Sequence, residues 1–302
     1  MQTQTETIKL RDGTRIPWIG FGTGTALSRK DCTETTKLAL TRGFSHFDTA
    51  QSYKNEEYLG AALEGVPRSQ LYITTKLMKF DWAGGQTVED TLRVSLKKLK
   101  TDFVDLFLIH VPIDHIDKPG QLKDVWKQMC DVKKKGLTRS IGVSNFNVRY
   151  LKEILADGLE VPVVNQIEFH PFIYNGSKAL LDFHAEHGIV TESYGGLSPI
   201  IPKRQGDEAE IPAREKLMKV LDKFAASRST AAQEVSQNQM LLKWLQYTGT
   251  IAVTTSSKES RIDEYLATGS LPDFTPEELS EFNAAIEGVH FRCFKVFDYM
   301  DE

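Results

Sequence analysis

The feature that most constrains this chain is an alternation. Short apolar runs and amphipathic segments take turns along nearly all of its 302 residues. Strand-like runs fall at Trp18–Gly22, Phe44–Phe47, Leu71–Thr75, Val104–Ile109, Arg139–Val143, Val163–Ile167, Ile189–Ser193 and Thr250–Thr254. Between and beyond them, helical periodicity marks Asp31–Arg42, Glu56–Leu63, Thr87–Leu99, Leu122–Lys135 and Val148–Ala156. It continues at Lys178–Glu186, Ala213–Ala226, Thr230–Tyr247, Arg261–Ala267 and Pro276–Ile286. Strands joined through helices must run parallel, because a helical crossover returns the chain to the same end of the sheet. Eight such units favour closure into a (β/α)8 barrel, which needs about 250 residues. No compositional shift marks a linker, so residues 1–302 are expected to form a single barrel domain. Ahead of the first unit, Ile8–Leu10 and Arg15–Pro17 flank Asp12-Gly13, the pattern of a small hairpin.

A formal charge of −4 with mixed signs gives no case for nucleic acid or an anionic membrane as a partner. No run approaches the ~18 apolar residues of a membrane helix, and no secretory leader is visible in MQTQTETIKL. Cys32, Cys130 and Cys293 are odd in number and far apart, which argues against a disulfide framework or a zinc knuckle. A cytoplasmic protein without a metal centre is expected. No helix shows a heptad seam, so monomer and homodimer both stay open.

The chemistry gathers at strand ends, where barrels of this kind hold their active sites. The stretch GFSHFDTAQSYKNEEYLG, residues 43–60, places Asp48 and Tyr53 just beyond the second strand. A phenol, with an ordinary pKa of roughly 10, acts as a proton donor near neutrality only with help from a cation. Strand three ends in ITTK, presenting Lys76, and strand four runs into His110. Lys76 is expected to lower the Tyr53 pKa, Asp48 to hold Lys76, and neutral His110 to orient a carbonyl oxygen. Such a set protonates an oxyanion as it forms. The hydride of a carbonyl reduction must come from elsewhere, so a nicotinamide cofactor is expected in the same mouth.

Later strand ends offer groups to hold that cofactor. Ser144 and Asn145 end strand five, Gln166 lies in strand six, and Tyr194 ends strand seven with a ring suited to stacking. Gly20, Gly22 and Gly24 do not form the G-x-G-x-x-G fingerprint and read as turn residues. After strand eight, TTSSKESR sets hydroxyls, Lys258 and Arg261 at a helix start, which suits a phosphate monoester such as the 2′-phosphate of NADPH.

With these pieces in place, the chain resembles the aldo-keto reductases over nearly its whole length. GFSHFDTAQSYKNEEYLG, LKKLKTDFVDLFLIHVP, IGVSNF and VVNQIEFHP match the family's motifs in order and spacing. The resemblance implies a barrel closed at its bottom by the hairpin, with NADPH extended across the top. It implies a catalytic tetrad of Asp48, Tyr53, Lys76 and His110, and reduction of C=O rather than C=C because His110 is not Glu. Cofactor contacts are implied at Gly22, Thr23, Gly24, Thr25, Asp48, Ser144, Asn145, Gln166, Tyr194, Gly195 and Leu197. They continue at Thr254, Thr255, Ser256, Ser257, Lys258 and Arg261.

Thr254-Thr255-Ser256 stands where the family more commonly has Pro-Lys-Ser, and Lys258 is a candidate for the displaced charge. VTTSSKESR, GTGT and NQIEFHPF are most similar to fungal members that reduce α-keto amides, conjugated polyketones and ketopantoyl lactone. Activated ketones and dicarbonyls are therefore the expected small-molecule substrates. Gly24 and Val111 stand where many members carry aromatic residues. Substrate contacts are expected from His110, Val111 and Trp82, with the tail aromatics Phe291, Phe294, Phe297 and Tyr299 as further candidates.

Two rival readings carry less of the sequence. A sensing or structural barrel that keeps the cofactor would not need the intact tetrad. A metal-dependent hydrolase would need several ligands at strand ends, where only Asp48 and His110 qualify; His46, inside strand two, lacks evident partners.

Overall fold

A computed structural model describes residues 5–201, 210–231 and 233–301. Two short strands, β1 (Thr7–Lys9) and β2 (Arg15–Pro17), pair antiparallel with Ile8 opposite Ile16. Eight parallel strands follow: β3 (Ile19–Gly22), β4 (His46–Asp48), β5 (Tyr72–Leu77), β6 (Val104–Ile109), β7 (Thr138–Ser144), β8 (Val164–Glu168), β9 (Val190–Tyr194) and β10 (Ile251–Thr254). They close into a barrel in chain order, with β10 returning to pair with β3. The expected (β/α)8 barrel is what forms.

Helices α1 (Thr33–Arg42), α2 (Glu56–Ala62), α3 (Val88–Leu99), α4 (Gln121–Lys134) and α5 (Val148–Leu155) wrap the first half. The short α6 (Pro171–Tyr174) precedes α7 (Lys178–His187), α8 (Ile211–Arg228), α9 (Gln237–Tyr247), α10 (Glu259–Ala267) and α11 (Pro276–Ile286). Among the described residues, no helix is long and apolar enough to cross a membrane.

One core lies between the strands and the helices, where Phe47, Phe107, Trp126 and Leu241 are fully buried. A second fills the barrel bottom. There Leu10 and Ile16 of the hairpin meet Tyr72, Leu106, Val164 and Ile251, near the starts of barrel strands. The turn between β1 and β2 is tied on by Asp12, whose carboxylate accepts from Ser140 at 2.8 Å and from Lys133 at 3.2 Å. The hairpin therefore plugs the bottom and leaves the carboxyl ends of the strands as the open face.

Several boundaries differ from the sequence reading for local reasons. The helix expected from Thr230 begins at Gln237, because Ser236 and Gln239 form a reciprocal capping box there. The expected helix from Arg261 begins at Glu259, which moves Arg261 into its first turn. Strand β4 extends through Asp48 and β5 through Leu77, so Asp48 and Lys76 lie within strands rather than beyond them. Across the β3–β10 seam, Arg42 of α1 makes a two-pronged ion pair to Asp263 of α10, at 2.5 and 2.6 Å.

Candidate active site

The alternation of side chains along a strand decides which groups face the barrel interior. Asp48 sits opposite Thr74, which puts Lys76, two residues on, toward the same interior. Gln166 and Glu192 are register partners on β8 and β9. The Lys76 ammonium, with its side chain fully buried, donates to Asp48 Oδ1 at 2.5 Å and to the carbonyl of Thr49 at 3.0 Å. Its third neighbour is the Tyr53 phenol oxygen, at 3.5 Å. Gln166 Nε2 donates to the other Asp48 oxygen at 2.8 Å, so both carboxylate oxygens are held.

Tyr53 ends a 3-10 turn (Gln51–Tyr53) that leaves β4. His110 follows β6, its ring edge-on to Tyr53 with centroids 5.5 Å apart. The backbone of His110 is pinned from both sides. Its N–H donates to Leu77 O at 3.1 Å, and its carbonyl accepts from Asn145 Nδ2 at 3.0 Å. The four residues singled out from strand ends converge on one point of the open face.

Burial and neighbours set their protonation. Burial opposes the Lys76 charge, but Asp48 and the Tyr53 oxygen outweigh it, and its pKa lies above the usual lysine range. Burial pulls His110 down to about 3, with the Lys76 charge adding to the effect, so its ring is neutral near physiological pH. Tyr53 corrects an expectation. Lys76 does favour the phenolate, yet burial, joined by Asp48 and Glu192, exceeds that pull, and the phenol lies above its usual range. The free protein therefore holds Tyr53 as a protonated phenol.

Beside the tetrad lies a cleft of about 270 Å³. It runs from Asp48, Tyr53 and Gln166 past Gly22, Gly24 and Thr25, along Tyr194, Gly195 and Leu197, to Thr254, Thr255 and Arg261.

The aldo/keto reductase family model matches residues 18–287, almost the whole barrel. This chain belongs to the aldo/keto reductase family. It is 37% identical over 299 residues to an NAD/NADP-dependent indole-3-acetaldehyde reductase of Schizosaccharomyces pombe, covering 96% of this chain and 98% of that one. A glyoxal reductase of Bacillus subtilis is 34% identical, covering 86% of this chain and 85% of its own length. Among solved structures, a Bombyx mori aldo-keto reductase in complex with NADP superposes with a TM-score of 0.80 at 29% identity. That match covers 99% of this chain and 98% of the insect enzyme. As a member of this family the chain is an NAD(P)-dependent oxidoreductase.

The cleft of this aldo/keto reductase fits an extended dinucleotide. Gly24, lacking a side chain, lets the loop after β3 pack directly against the Tyr53 ring, and Gly195 and Gly196 line the cleft without side chains of their own. Gln166 must turn its Nε2 to the Asp48 carboxylate, which leaves Oε1 as the acceptor end for an amide. Asn145, in the left-handed region at φ 59°, accepts from Tyr194 Oη at 2.7 Å.

Other predicted contacts stand further back. Thr23 is fully buried, with its hydroxyl 3.2 Å from the carbonyl of Asp48 and 3.3 Å from Asn55 Oδ1. Ser144 is buried and donates to the carbonyl of Gln166 at 2.8 Å. Ser256 Oγ accepts from the backbone of Lys258 at 3.0 Å, while Ser257 and Lys258 are exposed outside the cleft wall. Val111 and Trp82 lie half-buried on loops after β6 and β5 and do not line this cleft; Trp82 packs on Phe80 at 5.7 Å.

The structure adds residues that sequence reasoning passed over. Asn55, fully buried, donates to the carbonyls of Thr23 and Leu27 and accepts from Thr49, locking the loop after β3 to the loop after β4. Its place two residues after Tyr53, ahead of a helix, is a signal only in hindsight. Asn238, Leu242 and Leu245 of α9 complete the cleft wall and carry no local sequence signal. His46, read from the sequence as lacking fellow metal ligands, meets a hydroxyl and a carboxyl inside the barrel. Its Nε2 lies 3.0 Å from Thr74 Oγ1 and 3.9 Å from the buried Glu192 carboxyl. Glu168 anchors the tail, accepting from the backbone of Cys293 at 2.7 Å and Phe294 at 3.3 Å. Its Oε1 also lies 3.1 Å from His170 Nε2, and the Arg292 guanidinium stands 3.8 Å from its other oxygen.

Proposed function

We propose that this aldo/keto reductase reduces small carbonyl compounds to alcohols with NADPH, activated ketones and dicarbonyls foremost, and with Tyr53 as proton donor. The single observation that carries the reading is the grouping of the Tyr53 phenol, the Lys76 ammonium 3.5 Å from it, and the neutral His110 ring, all beside the open cleft. The glyoxal and indole-3-acetaldehyde reductases among its relatives support carbonyl substrates of this class.

When bound, the reduced nicotinamide supplies the hydride that no side chain can. The residues do the rest. His110 donates a hydrogen bond that orients the carbonyl and strengthens as charge builds on its oxygen. Tyr53 delivers its proton to that oxygen, and the Lys76 ammonium offsets the phenolate charge left behind. Asp48 fixes Lys76 in place and keeps its buried charge paired. Gln166 holds the carboxamide end through its free Oε1, Ser144 and Asn145 brace Gln166 and Tyr194 from behind, and Tyr194 offers its ring face. Arg261, with Lys258 nearby at the start of α10, attracts the 2′-phosphate of NADPH.

NADPH consumption should be followed with a 1,2-diketone, an α-keto ester, ketopantoyl lactone, an aromatic aldehyde and an aldose. Activated ketones are expected to turn over fastest, and turnover of the aldose alone would remove the substrate class. Tyr53→Phe is expected to cut kcat by about 10²–10⁴-fold with NADPH affinity unchanged. Wild-type turnover in that variant would remove Tyr53 as donor.

A further inference from the structure

The 3-10 turn that carries Tyr53 also carries Ser52, whose hydroxyl lies 3.1 Å from His110 Nδ1. We infer that Ser52 is a positioning residue: its hydroxyl donates to Nδ1 of His110 and so keeps the ring's N–H on Nε2, facing the substrate carbonyl. The inference rests on the orienting role proposed above for His110 and adds what makes that role possible.

Three observations lead to it. First, the ring is neutral, because burial and the Lys76 charge hold its pKa at about 3. A neutral imidazole carries one N–H, and which nitrogen bears it depends on the partner of the other. Second, among the described residues His110 Nδ1 is the one acceptor within hydrogen-bond reach of the Ser52 hydroxyl. Donation by Ser52 uses that proton, whereas donation by Nδ1–H would leave it without a protein acceptor. Third, no described residue hydrogen-bonds Nε2, while the backbone of His110 is fixed at both its N–H and its carbonyl. The ring cannot readily shift to compensate for a wrong tautomer.

The opposite tautomer would turn a bare lone pair on Nε2 toward the carbonyl oxygen. Two lone pairs would then face each other at the place where negative charge must develop, and orientation would be lost. Ser52 thus acts on the reaction without touching substrate. The geometry also couples the two working groups. One turn sets both the phenol that gives the proton and the hydroxyl that aligns the imidazole.

The test is to record the imidazole nitrogen resonances of His110 in the full-length protein, wild type and Ser52→Ala, beside steady-state kinetics. In the wild type, Nδ1 is expected to resonate as a hydrogen-bonded acceptor and Nε2 as protonated. Ser52→Ala should populate the other tautomer and lower kcat about tenfold, the worth of one oriented hydrogen bond, with NADPH affinity unchanged. Ser52→Thr, which keeps the hydroxyl, should restore both readouts. A protonated Nδ1 in the wild type, or a Ser52→Ala variant with unchanged tautomer and kcat, would overturn the inference. His110→Gln separates this from the parent reading. Unchanged carbonyl turnover there would end the orienting role of His110, whereas the resonances still decide what Ser52 does to the ring.

Discussion

Gly24 lies directly against the ring of Tyr53. A Cβ at position 24 would stand 2.8 Å from the ring's Cζ and 3.1 Å from its hydroxyl. The Tyr53 phenol therefore occupies space that any side chain at 24 would claim. Gly24→Ala is expected to push the phenol away from Lys76 and lower kcat by about 10–100-fold, since small misplacements of reacting groups are costly. Thermal unfolding should move little, because Tyr53 can yield toward the open cleft. Unchanged kcat would mean that the phenol has slack in its present position.

Lys76 and Asp48 form a buried pair whose two functions can be separated. Lys76→Met should abolish turnover and also leave the Asp48 charge unpaired in the barrel, at a cost of about 3–5 kcal/mol. Adding Asp48→Asn removes the stranded charge. The double variant should recover much of the lost Tm while staying inactive. Recovery of activity along with stability would show that Lys76 serves only the fold.

Stability should peak near pH 6.5, for reasons of opposite sign on either side. Native His46, His110 and His184 resist protonation down to about 3 and His115 to about 4, against an ordinary value of 6.5. Between those values the unfolded chain binds more protons, so stability rises with pH up to about 6.5. Glu192 acts oppositely. Burial, with the Asp48 charge adding to it, pushes its carboxyl from the ordinary 4.5 to about 8, so the native state holds the extra proton and stability falls across that window. Below 6.5 four histidines outweigh one carboxyl, and above it the Glu192 effect remains. A Tm series over pH 4–9 checks this, and Glu192→Gln should flatten the decline between 6.5 and 8.

The tail is hydrogen-bonded to the backbone of Asn145 through Tyr299. Tyr299 Oη donates to the carbonyl of Asn145 at 2.9 Å, and Asn147 Nδ2 returns a bond to the carbonyl of Tyr299 at 3.1 Å. Asn145 holds a left-handed backbone that this bond helps to fix. Tyr299→Phe should weaken NADPH binding about fivefold, the worth of one hydrogen bond, with kcat nearly unchanged. Quenching of protein fluorescence by NADPH measures the affinity. Unaltered binding would make the tail a cover rather than a support.

Much of this site was legible because the barrel turns chemistry into punctuation. An apolar run ending in a polar residue is a strand reaching the mouth, and Asp48, Lys76, His110 and Tyr194 each follow that rule. What stayed hidden depends on distance across the fold. The value of Ser52 lies in a nitrogen 58 positions away, and that of Glu192 in a barrel interior shared with His46, Asp48 and Lys76. The direction of the Tyr53 shift was misjudged for the same reason. The sequence pairs the phenol with a lysine, but burial emerges only once eight strands surround it. The start of α9 was missed more locally, by continuing an apolar period through Ser236, a residue that caps a helix rather than extends one.

The pairing of β10 with β3 has a consequence for how the molecule comes into being. The barrel's closing contacts join Ile19 with Ala252 and Arg42 with Asp263, partners more than two hundred positions apart. On the ribosome, β3 and its neighbours emerge long before β10, so the nascent sheet carries an unpaired edge through most of synthesis. Such edges invite pairing with other chains, and late long-range closure slows folding. A chain interrupted before residue 251 would retain every tetrad side chain yet lack the strand that closes the ring. Closure of this barrel thus arrives with its last tenth of strand structure, long after the residues of the proposed tetrad have been made.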